Sequence, residues 1–295
     1  MNKVYDSFTT YIRCELNLSA RTVSSYTYDL GQWQRFAVDA FGEDFDVAKA
    51  TVNDIRLWVA QLARDGINQR SIRRKVQTLR TFFHYLMLRH GLASNPAAEI
   101  VAARLPKPLP RAIRPTDTAA AISLDSDLTD FVSVRNRLVV DLLYSTGMRA
   151  SELASLQDRD VDTVAGQLRV MGKRRRERVI PFGAQLAADI TAYRALRPYP
   201  AAPTLLVDPE GSPLQYRHIR SIVKQQFAAV GTVATPHALR HSCATDMLNG
   251  GADLTAVQQL LGHASLATTQ IYTHLSFRDL KQNYQLAHPR ALKHG

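Results

Sequence analysis

Residues 105–111 read Leu-Pro-Lys-Pro-Leu-Pro-Arg, and this stretch decides how the chain is organised. Alternating prolines disfavour both a helix and the interior of a sheet, because proline lacks an N–H and restricts the residue before it. With Pro115 close behind, residues 105–115 are predicted to form a semi-rigid, basic connector. The 295 residues therefore divide into a first domain, 1–104, and a second domain, 116–295.

The first domain is predicted to consist of helices and little else. Apolar residues recur at helical spacing in four stretches, with Ser19 and Thr51 placed to cap the second and third and Gly91 where the fourth would end. The fourth helix carries a basic face, made of Arg70, Arg73, Arg74, Lys75 and Arg80. A solvated surface would explain these cations, but their density without an intervening acid favours a surface that faces phosphate. The candidates for nucleic-acid contact are Arg73, Arg74, Lys75 and Arg80.

The second domain is predicted to mix helices with a small hairpin. An apolar helix over 134–145 ends at Gly147, and two β-type segments, Gln167–Met171 and Arg178–Pro181, flank a charged turn. Helical patterning returns at 183–196, 215–229, 237–249, 253–262 and 276–288. The predicted fold class is therefore mainly α with a small β-sheet or hairpin.

The composition indicates a globular and strongly basic protein. A hydrophobic fraction of 45% and a charged fraction of 21% exclude a disordered chain, a collagen-like chain and a coiled-coil rod. The net charge of +11 predicts a polyanionic partner, although ribosomal proteins, membrane-surface proteins and DNA enzymes share this balance. No apolar run approaches the ~18 residues that span a bilayer, and the N-terminus does not resemble a secretory signal. Cys14 and Cys243 fit no disulfide or metal framework, which predicts a reducing, cytosolic setting.

Two segments of the second domain place cations where an anion could bind. In Thr146-Gly147-Met148-Arg149-Ala150-Ser151-Glu152, Arg149 opens a helix, and free backbone N–H groups add to its charge. Glu152 is on the same face and could hold the guanidinium, although a plain surface Arg–Glu pair has the same pattern. In Gly172-Lys173-Arg174-Arg175-Arg176-Glu177-Arg178, a lysine at a hairpin tip could enter a groove and donate a proton. The alternative is a charged turn that keeps a sheet edge soluble.

The segment Pro236-His237-Ala238-Leu239-Arg240-His241 adds imidazoles on a predicted helix. His237 and Arg240 share a face of that helix. His237 and His241 have the spacing of helical metal sites, but the glutamate of the HExxH pattern and a third ligand are missing. A clamp for an anion, built from a histidine and an arginine, is therefore favoured over a metal site.

Two later residues complete the inventory. His263 follows Gly262 at a predicted helix end, where it could cap the helix and interact favourably with the helix dipole without any further role. Tyr272 lies in Thr269-Gln270-Ile271-Tyr272-Thr273-His274 and alone would be read as structural. Together the segments supply phosphate-binding cations, a proton donor and an oxygen nucleophile, which attack of a tyrosine hydroxyl on a phosphodiester requires. No metal and no cofactor are expected.

Four segments, TGMRASEL, HALRHSCATDML, VQQLLGHASLATTQIYTH and AHPRA, resemble the tyrosine recombinase (phage integrase-like) family. Their order and spacing are similar to those of its bacterial Xer branch, and the resemblance extends to SARTVSSYTYDL in the first domain. It implies a SAM-like helical domain that binds the core of a DNA site, followed by an α+β catalytic domain. It also implies that the last helix, near Phe277–Leu286, is exchanged between protomers.

The resemblance implies an enzyme that cuts and rejoins DNA at a specific site through a covalent 3′-phosphotyrosyl intermediate and a Holliday junction. Its residue roles transfer onto six positions of this sequence. Arg149 and Arg240 would clamp the scissile phosphate, and His237 and His263 would donate hydrogen bonds to it and assist proton movement. Lys173 would protonate the leaving 5′-oxygen, and Tyr272 would attack.

The implied partner is a double-stranded DNA recombination site, bound by a tetramer on two sites. The tetramer is either homomeric or shared with a paralogous recombinase; a DNA translocase is a candidate activator, and no membrane partner is expected. The predicted role is Xer-like resolution of chromosome dimers in the cytoplasm, at the nucleoid. A mobile-element integrase of the same chemistry and a DNA-binding protein without catalysis are the alternatives.

Overall fold

The computed structural model describes residues 3–101, 112–124, 129–172, 177–262 and 276–291. The chain divides into two compact units, Met1–Pro108 and Leu109–Gly295. Most of the predicted connector lies outside the described residues, but its last part belongs to the second unit. Ile113 donates its N–H to Ser242 Oγ at 2.7 Å, and Pro115 is the first residue of a helix. Assigning Pro115 to the connector is therefore wrong, because proline suits the first helical position, where the N–H has no partner within the helix.

The first unit is a helical domain, as the apolar spacing predicts. Its described helices are α1 Lys3–Cys14, α2 Ala20–Phe41, α3 Val52–Arg64 and α4 Gln69–His90. The expected caps are present: Ser19 Oγ accepts the Thr22 N–H at 3.2 Å, Thr51 forms a reciprocal capping box, and Gly91 ends α4 in the left-handed region. Aromatic side chains fill the core, where the Trp33 and Trp58 rings meet at a centroid distance of 5.4 Å.

A buried carboxylate ties α2 to α4 in this unit. Asp29 on α2 accepts hydrogen bonds from Lys75 Nζ at 2.9 Å, from Thr78 Oγ1 at 3.0 Å and from the Arg74 guanidinium. Gln32 Oε1 also accepts from Lys75. A carboxylate without solvent is tolerated only when its lone pairs are engaged, so this cluster holds the two helices in one register.

The second unit packs helices and a small sheet around one core. Its helices are α5 Pro115–Ile122, α6 Phe131–Thr146, α7 Ala150–Ala154, α8 Ala184–Leu196, α9 Tyr216–Ala229, α10 Pro236–Asn249, α11 Leu254–Leu261 and α12 Phe277–Ala287. Helix α6 is central, since every residue from 138 to 146 is buried and α5, α8, α9 and α10 all pack on it.

The strands of this unit form one antiparallel sheet in the order β1-β2-β3. They are β1 Val161–Asp162, β2 Gln167–Met171 and β3 Glu177–Pro181, with Val170 opposite Arg178. The prediction of a mainly α fold with a small β-sheet is confirmed. Among the described helices, none is both long and apolar enough to cross a bilayer.

The last described residues pack against their own unit. Helix α12 buries Leu280, Tyr284 and Ala287. Beyond it, Arg290 pairs with the buried Asp141 on α6 and, at 3.3 Å, with Asp189 on α8. The helix that the family resemblance assigns to exchange is thus held here by its own chain, and its exchange between protomers stays a prediction.

His288 is fully buried beneath this C-terminal segment. Its Nε2 donates to the Tyr144 carbonyl at 3.3 Å, and its Nδ1 accepts the Arg290 N–H at 3.1 Å. The ring also stacks on Tyr284 with a centroid distance of 4.8 Å. Burial lowers the pKa of His288 from 6.5 to about 4, so the ring is neutral at pH 7.

We expect Asp29→Asn to destabilise the first unit by about 3 kcal/mol, because Lys75 would keep a buried charge without its carboxylate. Both tryptophans of the chain, Trp33 and Trp58, lie in this unit, so their fluorescence during urea unfolding reports on it alone. Asp39→Asn, on the exposed side of the same helix, is the matched control and should leave the midpoint unchanged. Equal midpoints for the two variants would contradict the structural role of Asp29.

We expect the second unit to lose stability as the pH falls from about 6.5 to about 4. In that range the unfolded chain binds a proton at His288 that the folded chain excludes, so the free energy of unfolding should drop by roughly 3 kcal/mol in total. Urea unfolding followed by circular dichroism at several pH values measures this slope. His288→Gln should flatten it, whereas His84→Gln, at an exposed position, should not. An unchanged slope in His288→Gln would refute the assignment.

Candidate active site

The carbonyl end of α11 gathers three arginines. The helix stops at Gly262, whose φ of 64° lies in the left-handed region. The last carbonyls of a helix lack partners within it and carry a partial negative charge. Each of three successive carbonyls here accepts from a different arginine: Leu260 from Arg178 Nε at 2.9 Å, Leu261 from Arg240 at 2.5 Å, and Gly262 from Arg149 at 3.4 Å.

The three arginines come from distant parts of the sequence. Arg149 precedes the first residue of α7, Arg178 lies on β3, and Arg240 lies on α10. Arg240 is held a second time, by the Gly147 carbonyl at 2.6 Å. Gly147 has a φ of 59°, and a Cβ there would come within 2.5 Å of the Leu261 side chain, so the close approach of this turn to α11 requires glycine.

Glu152 is buried and holds Arg149, which is one of the two possibilities that the sequence left open, and it holds a second arginine as well. Its carboxylate accepts the Arg149 N–H at 2.7 Å and the Arg149 guanidinium at 2.8 Å. Arg178 donates to both oxygens, at 3.0 and 2.8 Å, which fills the four lone-pair sites. Burial alone would raise the pKa of Glu152, but the hydrogen bonds and charges of Arg178 and Arg149 outweigh it and lower the pKa below its usual value.

This arginine cluster, Arg149, Arg178 and Arg240, carries more positive charge than Glu152 neutralises. Burial, together with the charges of Arg149 and Arg178, lowers the pKa of Arg240 to about 10, so it stays protonated at pH 7. The Arg149 side chain is 40% exposed, whereas that of Arg178 is 12% exposed. A cluster of guanidinium groups with a net positive charge and one open member is suited to bind an anion such as phosphate.

His237 lies in the first turn of α10, three residues before Arg240, and its side chain is exposed. Thr235 caps the helix by accepting the Ala238 N–H at 3.1 Å, and Pro236 occupies its first position. The helix therefore brings Arg240 to the arginine cluster and leaves His237 at the surface. Within the described part of the chain, no hydrogen bond joins His237 to Arg149 or Arg240.

Lys173, His263 and Tyr272 lie outside the described residues, and their places in the site stay predictions. The chain leaves the described structure next to two of them, at Gly172 after β2 and at Gly262 after α11. The Gly262 carbonyl contacts the arginine cluster by accepting from Arg149.

Arg178 belongs to the site, but the sequence does not single it out. The residue stands in a run of basic residues at the predicted hairpin, where the pattern singles out the lysine at the tip. Strand alternation could flag Arg178 as inward-facing, but its two partners, on α7 and α11, come from other parts of the chain. Only the tertiary structure identifies it.

The four residues of the first unit that are predicted to contact nucleic acid differ in their exposure and in their hydrogen bonds. Arg73 is exposed and makes no hydrogen bond to the residues that the structure describes. Lys75 is buried, and Arg74 is half-buried, with both engaged by the carboxylate of Asp29. Arg80 donates to two backbone carbonyls of the segment after α4, at 3.1 and 2.7 Å. Of these four residues, Arg73 is the one whose charged group makes no hydrogen bond to the described residues, so all of its N–H groups are available to an outside ligand.

Two family profiles match this sequence. The profile of the phage integrase N-terminal SAM-like domain matches residues 5–90, and that of the phage integrase family matches residues 119–279. The tyrosine recombinase XerC of Mycobacterium bovis (strain BCG / Pasteur 1173P2) is 36% identical over 301 residues, which cover 99% of this chain and all of the relative.

Solved structures share the fold. The Tn1549 transposon integrase in complex with transposon right end DNA has a TM-score of 0.71 at 18% identity, over 96% of this chain and 98% of that one. A lambda integrase tetramer bound to a Holliday junction has a TM-score of 0.70 at 14% identity, over 93% and 79%. Identities this low establish the fold alone, whereas the XerC relative matches along the whole length. On the profiles and this relative, the chain belongs to the phage integrase family of tyrosine recombinases.

Proposed function

We propose that this chain is a site-specific tyrosine recombinase, an enzyme that cuts and rejoins double-stranded DNA. Family membership and the full-length similarity to XerC support this function. The observation that carries it is the arginine cluster at the end of α11, because two of its members are the arginines that the family pattern assigns to the scissile phosphate.

The arginines suit a phosphoryl-transfer transition state, in which negative charge builds on the non-bridging oxygens. Fixed cations lower the energy of that state without having to reorganise. Arg240 is held by two carbonyls and Arg149 by Glu152 and the Gly262 carbonyl. A guanidinium has five N–H groups, and these side-chain contacts use two on each arginine. Arg149, the open member of the cluster, thus keeps three N–H groups for the DNA, whereas the buried Arg240 adds a fixed positive charge beside it.

The proposed reaction is a transesterification. The Tyr272 Oη attacks the scissile phosphorus, the bond to the 5′-oxygen breaks, and a 3′-phosphotyrosyl ester forms. Lys173 gives the leaving 5′-oxygen its proton, while His237 and His263 donate hydrogen bonds to the phosphate and assist proton movement. Attack by a 5′-hydroxyl of the partner duplex reverses the step and joins new strands, with a Holliday junction between the two exchanges.

A DNA recombination site is the proposed partner, and both units are proposed to contact it. The net charge of +11 favours a polyanion. In the first unit we assign Arg73 to a phosphate with Arg74 beside it, while Lys75 and Arg80 support the same surface from inside. Four protomers would assemble on two sites, alone or with a paralogous recombinase, and a DNA translocase would activate them.

The proposed cellular role is resolution of chromosome dimers at the nucleoid, in the cytoplasm, because the relative that matches the full length is a XerC. A mobile-element integrase of the same chemistry is the second candidate, because it would share the family and the fold. Selecting bound sequences from genomic DNA separates the two. A chromosomal site would support the first, and the end of a mobile element would support the second.

The proposed function predicts a covalent adduct on a suicide substrate nicked beside the cleavage point. Cleavage releases a short fragment that carries the 5′-hydroxyl, and once this fragment diffuses away the phosphotyrosyl link cannot be reversed. Tyr272→Phe should bind this DNA with unchanged affinity and form no adduct in a denaturing gel. Tyr199→Phe, at an exposed position of the same unit, is the control and should form the adduct normally. An adduct in Tyr272→Phe would refute the nucleophile, and none from the native protein would support a non-catalytic DNA-binding protein.

Contact between Arg73 and a phosphate predicts a change in salt dependence. In Arg73→Ala, the slope of log affinity against log salt concentration should fall by about 1, because one fewer counterion is released. Arg89→Ala, near the other end of α4 and already paired with Glu15 at 2.7 Å, should keep the native slope. Equal slopes for the two variants, measured by fluorescence anisotropy, would place Arg73 away from the DNA.

A further inference from the structure

Arg178 joins three elements of the second unit that are far apart in the sequence. It lies on β3, its Nε donates to the Leu260 carbonyl in the last turn of α11, and its two terminal nitrogens donate to Glu152 on α7. Arg149, which precedes α7, meets the same carboxylate and the same helix end. The position of Arg149 is therefore coupled to that of Arg178 through Glu152 and through α11.

The environment of Arg178 rules out a direct phosphate contact as its main role. All three nitrogens of its guanidinium already donate to protein acceptors, and its side chain is 12% exposed. Gly262 leaves room for its stem, since a Cβ there would lie 3.2 Å from Arg178 Cδ. Arg178 therefore lies inside the cluster, with its guanidinium directed to Glu152 and to the end of α11.

Removing Arg178 would change how Glu152 is hydrogen-bonded to Arg149. The buried carboxylate would lose two of its four hydrogen bonds, and a buried acceptor without a partner is costly. The Arg149 guanidinium is the remaining cation in contact with it and has N–H groups to spare. Glu152 would therefore draw further N–H groups of Arg149 inward, away from the phosphate.

We propose that Arg178 is a positioning residue for DNA cleavage: it satisfies Glu152 from the side of β3 and so leaves Arg149 with free N–H groups for the scissile phosphate. This inference rests on the proposed function, because it assigns a role within that reaction. In this role Arg178 acts on the phosphate through Arg149, which contacts the same carboxylate.

A double-mutant cycle on the full chain tests this, with the single-turnover rate of adduct formation on the suicide substrate at saturating protein as the readout. Arg149→Ala should slow the rate by about 10²–10³-fold, as the loss of one preorganised donor does elsewhere. Arg178→Met should slow it by about 10–10²-fold, which is typical of a misplaced catalytic group. The double variant should react as slowly as Arg149→Ala alone, within roughly threefold, because Arg178 then has nothing left to position.

Arg169→Met is the matched control, since Arg169 is an exposed arginine of the same sheet whose nearest acid, Glu177, is 4.0 Å away. Its rate should equal that of the native protein. Circular dichroism checks that each variant is folded. If Arg178→Met folds poorly, the cycle is repeated with Arg178→Lys, which retains the positive charge. Losses that multiply in the double variant would overturn the proposal, as would a native rate in Arg178→Met. A native rate in Arg149→Ala would instead refute the phosphate clamp of the proposed function.

Discussion

The second unit depends on the partial negative charge at the carbonyl end of α11. Three successive carbonyls there each accept from a different arginine, and without them the guanidinium groups of Arg149, Arg178 and Arg240 would repel one another. The helix end and Glu152 together supply the negative charge that lets three cations share one place. Because each contact uses only part of an arginine's donors, the same arrangement leaves positive charge to bind an anion.

Buried carboxylates organise both units in a similar way. Asp29 gathers Arg74 and Lys75 in the first unit, and Glu152 gathers Arg149 and Arg178 in the second. Both acids are buried and neutralised by basic side chains of the same unit, while basic side chains such as Arg73 stay exposed. For a protein proposed to bind DNA, burying these two acids reduces their repulsion of phosphates.

The local rules of the sequence predict the elements well and the long-range contacts poorly. Ser19, Thr51, Gly91 and Gly147 mark helix ends because caps and left-handed glycines act within a few residues. Lys75 shows the opposite case. Its neighbours in the sequence are basic and suggest a solvated or phosphate-facing surface, yet a buried aspartate 46 positions earlier turns it inward. A helical stripe assigns a face to a residue, but it does not reveal an acid on another helix.

By itself, the sequence determined the helical first domain, the mixed second domain, the family and the pairing of Arg149 with Glu152, because propensity, capping and an i, i+3 spacing are local properties. The tertiary structure alone decided that Arg178 joins the site, that Arg240 reaches the end of α11, and that Lys75 is internal. Those contacts span tens of residues, and they depend on where the apolar faces pack and on which buried charges must then find partners.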